Sequence, residues 1–180
     1  MVNAADFWLK NPETITLTTK EFEELDFAKL DAQNFDSDTI VVFLFDMIHS
    51  GTAMVYSVEH LKSATQLARE KCVNSIIAID AAHAPGIVEK LGITKIDADF
   101  FIGNLHKWVF SAKSVAFFWA KGGISDFESI FQEQRYSSNF AAMMSIPRSF
   151  EYYSHFKITI KNYKFSLVCC KQIFCNFIMK

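Results

Sequence analysis

The chain has 180 residues, of which 51% are hydrophobic and 21% charged, a balance that excludes a disordered polymer and fits one folded domain with a real core. Its formal net charge of −2 gives the chain as a whole no nucleic-acid-binding surface and no strongly acidic role. Four cysteines, Cys72, Cys169, Cys170 and Cys175, lack the spacing that zinc ligands need, so neither a metal site nor a disulfide scaffold is expected.

From the N-terminus, Met1 to Trp8 carries no basic segment followed by an apolar one, so no secretory signal is read and a reducing, cytoplasmic location is expected. Ile15 to Thr18 alternates apolar and hydroxyl residues and predicts a short strand. A helix then starts at Thr19 with an acid in its first turn, and Phe22, Leu25 and Leu30 face the core. Thr39 to Phe45 is the clearest buried strand, closed by Asp46. In Ser57 to Lys71, Val58, Leu61, Ala64, Leu67 and Ala68 recur at three- and four-residue spacing, which predicts an amphipathic crossover helix. Ser75 to Ile79 is an unbroken run rich in branched residues, read as a strand covered on both faces and closed by Asp80.

A further run, Ala98 to Ile102, leaves the sheet at Gly103 and leads to Lys107, and Ser114 to Trp119 predicts a strand beside it, ended by Gly122 and Gly123. Strand, acid, turn and helix recur, so the expected fold is α/β with a mostly parallel sheet between helices. In such sheets ligands bind beyond the carboxyl ends of the strands, which places Asp80 and Lys107 at a site. No GxGxxG follows any predicted strand, which disfavours a dinucleotide.

An acid and a lysine in that arrangement meet the needs of pyridoxal 5'-phosphate: an amine for the aldehyde, and a carboxylate that keeps the ring nitrogen protonated so that the ring draws electrons from a substrate carbanion. A Schiff-base lysine must lose its proton, which apolar cover such as Trp108 and Val109 favours.

Asp80-Ala81-Ala82-His83-Ala84-Pro85-Gly86 and Ala98-Asp99-Phe100-Phe101-Ile102-Gly103-Asn104-Leu105-His106-Lys107-Trp108 resemble the core of class V aminotransferase-fold enzymes, most closely the isopenicillin N epimerase-like branch. The resemblance extends through Leu44-Phe45-Asp46-Met47-Ile48-His49-Ser50-Gly51-Thr52-Ala53 and is best over residues 40–120. It implies that Lys107 is the Schiff-base lysine and Asp80 the partner of the pyridinium nitrogen. It further implies that His83 lies near the ring hydroxyl, that His106 contacts the phosphate, and that Ser50 and Thr52 lie near the ring. His49 and His60 are read as packing or surface histidines.

The same resemblance implies a fragment of the large domain of the fold type I pyridoxal phosphate transferases, with residues 1–156 as the partial cofactor-binding domain. Where family members carry a Gln-Gly-Thr-Arg-Asp stretch that reaches a partner subunit, this chain has Glu133-Gln134-Arg135-Tyr136-Ser137. Enzymes of this class run to about twice this length or more, so the turn and helix that cradle the phosphate and the small domain are expected to be missing. Residues 157–180 form an unmatched tail with five lysines and no acid, which leaves the preceding residues with a formal charge of −7. The apolar stretch Phe165 to Met179 is broken by Lys171 and Gln172 and is shorter than the roughly 20 residues a membrane span needs, so no membrane partner is expected.

Two readings follow. The chain is a pyridoxal phosphate enzyme acting on a small amino acid by epimerase-like, aminotransferase or C–S lyase chemistry, a homodimer by family habit. Alternatively it is a truncated, catalytically inactive paralogue or partial gene product that binds a full-length relative.

Overall fold

The computed structural model describes residues 14–33, 35–36, 38–113, 115–123 and 140–162, without the side chains of 140–143 and 156–162. Helix α1 (Thr19–Glu23) opens with a capping box: the Thr18 hydroxyl accepts the Glu21 N–H, and the Glu21 carboxylate accepts the Thr18 N–H at 2.7 Å. The expected strand over Ile15 to Thr18 is not formed; Thr18 instead starts the helix, which fits its capping chemistry. A short helix α2 (Ala28–Asp31) follows and buries Leu30.

Strand β1 (Val41–Asp46) pairs in parallel with β4 (Ser75–Asp80), which pairs in parallel with β5 (Phe100–Asn104). β6 (Ala116–Ala120) runs antiparallel to β5, so the sheet order is β1-β4-β5-β6. A separate hairpin, β2 (Ile48–His49) with β3 (Met54–Val55), rises from the end of β1. Helix α3 (Val58–Lys71), capped by the Ser57 hydroxyl accepting the His60 N–H, is the crossover to β4. Its Leu61, Ala64 and Ala68 join Phe43, Phe45, Ile77, Ile79 and Phe101 in one core. This is the mostly parallel α/β sheet with helices that the sequence implies.

Coverage differs from the two-sided burial expected of β1. Phe43 and Phe45 are buried, while Val42 and Leu44 between them are 54% and 65% exposed. An apolar run alone does not say how many faces have a neighbour; here α3 covers one face, and no described residue covers Val42 or Leu44 on the other. Phe22, Phe27, Phe45 and Tyr56 form an aromatic cluster with centroids 4.7–6.5 Å apart, which closes the core beneath β1.

Helix α4 (Phe140–Asn162) contains Pro147 and continues past residue 156, where the unmatched tail is predicted to begin. The Glu133 to Ser137 stretch and the tail beyond residue 162 lie outside the described residues. Among the described residues, no helix is long and apolar enough to cross a membrane, and no cluster of His, Cys, Asp and Glu is fit to hold a metal ion.

Candidate active site

Because β1 and β4 run parallel and in register, Asp46 and Asp80 end side by side at the carboxyl edge of the sheet. The Asp80 strand end is pinned on both sides. Its carbonyl accepts the Met47 N–H at 2.8 Å, and the next residue's N–H, that of Ala81, donates to the Ile102 carbonyl at 2.7 Å. Its carboxylate Oδ1 accepts the Ala82 N–H at 2.7 Å, which fixes the side chain over the turn that follows.

That turn delivers His83, and the turn after β5 delivers Lys107. Lys107 Nζ lies 3.0 Å from His83 Nε2, although the two are 24 residues apart in the chain. Burial first, and then the Lys107 charge, push the His83 imidazole below its ordinary value, while Asp80 and Asp46 pull it the other way. In the tautomer that leaves Nε2 unprotonated, neutral His83 is an acceptor for the lysine. Asp46 is held above the usual carboxylate range, chiefly by burial and then by Asp80.

Two contacts lock the loops together. Gly86 has φ +87°, and a Cβ there would stand 2.8 Å from the Trp108 carbonyl oxygen, so the Asp80 turn packs against the Lys107 turn at a distance only glycine permits. Helix α4 clasps both from outside: Tyr153 donates to the Gly86 carbonyl at 2.7 Å, and Ala112 N–H donates to Ser145 Oγ at 3.1 Å. Phe110, held at φ +62°, packs edge-on against Tyr152. No local motif in the sequence announces this clasp.

The other named candidates sit elsewhere. His106 Nδ1 faces the Val115 carbonyl at 3.4 Å, on the side toward β6. Ser50 and Thr52 lie on the exposed tip of the β2-β3 hairpin, where the Thr52 hydroxyl contacts His49 Nδ1 at 2.9 Å. His60 packs on Phe22 and Tyr56 and meets the Phe22 carbonyl, the packing role expected of it. His49 lies close enough to Asp46 to favour its charged form slightly, against burial. Asp46 itself was read only as the end of a strand.

The arrangement suits one end of a pyridoxal phosphate molecule. It offers an amine beside an imidazole and, on the neighbouring strand end, a carboxylate. The buried Trp108 Nε1–H adds a donor with no partner among the described residues, a costly state that a ligand acceptor would relieve. The described residues include no glycine-rich turn leading into a long helix that would cradle the phosphate.

No family model matches the chain. It is 37% identical over 83 residues to an L-cysteine desulfhydrase of Arabidopsis thaliana, an alignment that covers 46% of this chain and 17% of that protein. It is 30% identical over 76 residues to the isopenicillin N epimerase of Streptomyces clavuligerus, covering 42% of this chain and 18% of the relative. A solved structure of SPT with a PLP internal aldimine aligns at 18% identity and a TM-score of 0.42, over 62% of this chain and 27% of that one. The chain is therefore related in sequence to the class V proteins that its motifs resemble, and it spans about a fifth of the length of the curated relatives it matches.

Proposed function

We propose that residues 40–120 are the cofactor-binding core of a pyridoxal phosphate-dependent enzyme that acts on an amino acid, with a C–S lyase as the preferred reaction. The observation that carries this reading is the 3.0 Å approach of Lys107 Nζ to His83 Nε2 beside the pinned carboxylate of Asp80. The bound cofactor supplies an electron sink for the carbanion formed at the substrate α-carbon. Lys107 holds the cofactor and then moves the α-proton; Asp80 holds the proton on the ring nitrogen; neutral His83 accepts from Lys107 and orients it. His106, Ser50 and Thr52 remain candidates for the phosphate and ring periphery. Relatives named L-cysteine desulfhydrase support the choice of a sulfur-bearing amino acid. Buried, free Cys72 suits a reducing compartment.

The test is the visible absorbance of the purified chain mixed with pyridoxal phosphate. A band that Lys107→Ala abolishes, with sulfide released from L-cysteine, supports the reading; no band at any pH overturns it.

The alternative, an inactive partial product that binds a full-length relative, draws support from the exposed apolar residues Val42, Leu44 and Ile102 on one sheet face. It predicts a cofactor band without turnover, and a stable complex with the full-length relative in sedimentation. A monomer that turns over substrate sinks it.

A further inference from the structure

The two carboxyls at the sheet edge are not equivalent. Asp46 and Asp80 stand in register on neighbouring parallel strands, which sets their Cα atoms about 5 Å apart and sends both side chains to the same face. Asp80 has a backbone donor in the Ala82 N–H, whereas no described residue donates a hydrogen bond to the Asp46 carboxyl. A donor aimed at the charged form favours it, and two like charges at this range do not both ionise without cost. Asp46 is therefore the carboxyl whose charge its surroundings support least.

The charged and titratable groups that bear on Asp46 are Asp80 on β4, His49 on β2, His83 in the turn beyond β4 and Tyr56 ahead of α3. Lys107 faces His83. Asp46 also lines a cavity of about 400 Å³ beside β1, together with His49 and Tyr56, so it has a route to solvent protons.

We propose that Asp46 is a positioning residue that acts through Asp80: as a carboxylate it deepens the negative potential at the sheet edge, and acid removes that contribution by protonating it. This rests on the cofactor reading above, because the potential is of use to a protonated ring nitrogen. Burial and the Asp80 charge, which raise the Asp46 carboxyl, agree with its sensitivity to acid.

Two measurements test it. In a carboxyl ¹³C NMR titration of the cofactor-free chain, Asp46 is expected to titrate above the ordinary value of 3.8. Asp80→Asn should lower that midpoint, because it removes the neighbouring charge. This coupling reports that the two acids are adjacent; cofactor binding separates a positioning role from a merely structural one. In equilibrium binding of pyridoxal phosphate, Asp46→Asn should weaken affinity several-fold, up to about tenfold, at mildly alkaline pH, and the difference should vanish in mild acid.

An Asp46 midpoint that Asp80→Asn does not lower, or a pH-independent affinity ratio, overturns the proposal. If Asp46→Asn fails to fold by circular dichroism, the wild-type Asp46 midpoint and its shift in Asp80→Asn decide it. A wild-type chain that binds no pyridoxal phosphate at any pH overturns the cofactor reading and takes this role with it; binding that ignores Asp46 overturns this role alone.

Discussion

The two ends of the sheet use charge in opposite ways. At the amino end, Arg69 of α3 donates to Asp99 at 2.8 Å and to the Ser75 carbonyl, Asp99 also accepts the Ile77 N–H at 2.7 Å, and Lys121 donates to Asp97 at 2.6 Å. Each of these charges has an opposite partner, and together they tie α3, β4, β5 and β6 into one frame. At the carboxyl end, two acids stand abreast, and the lysine leans on a histidine whose proton affinity is depressed. The charges of the frame are matched, whereas Asp46 and His83 at the carboxyl end have shifted proton affinities, as groups at candidate sites often do.

Breaking the lock between the two site turns should have the largest effect. Gly86→Ala forces a methyl toward the Trp108 carbonyl at a left-handed φ, and should cost about 3 kcal/mol in denaturant unfolding while also weakening cofactor binding. Wild-type stability in that variant would detach the lock from the site.

Arg69→Met should come next, at about 2 kcal/mol by urea denaturation. It strands Asp99, which keeps only the Ile77 N–H, and the pair is about a quarter exposed, so the loss falls below that of a fully buried pair. The comparison is sharpened if the cofactor band survives in the folded fraction, since this end is a frame and not a site.

At the carboxyl end the sign reverses. Asp46 binds its proton more tightly folded than unfolded, so its contribution to stability falls as pH rises through the window above the ordinary value of 3.8 and is unfavourable at neutral pH. Asp46→Asn should therefore raise the melting temperature at neutral pH and lose that advantage near pH 4. His83 binds its proton less tightly folded than unfolded, so stability should also decline as pH falls below the ordinary histidine value of 6.5, and His83→Gln should flatten that decline. The smallest effect is expected from Lys121→Met: both partners of its ion pair with Asp97 are more than half exposed, and the cost should be about 0.5 kcal/mol.

Much of the candidate site was legible in the chain. Asp80 and Lys107 stand out because each follows a buried run, and the motif around them carried His83. Asp46 ends its run as Asp80 does, yet its value appears only when the register sets the two acids abreast. Nothing nearby in sequence says that the β2-β3 hairpin brings His49 close to Asp46. The α4 clasp through Tyr153 and Ser145 joins residues 67 and 33 positions apart, with no local signal to find.

By itself the sequence determined the four strands of the main sheet, the crossover helix and the two strand ends proposed to carry chemistry, because apolar period and turn residues act over a few neighbours. Only the tertiary structure decided which faces of the sheet are covered, which acid stands beside which, and how near Lys107 comes to His83. Those depend on strand register and loop closure across tens of residues, such as the approach of Gly86 to the Trp108 carbonyl that leaves no room for a Cβ.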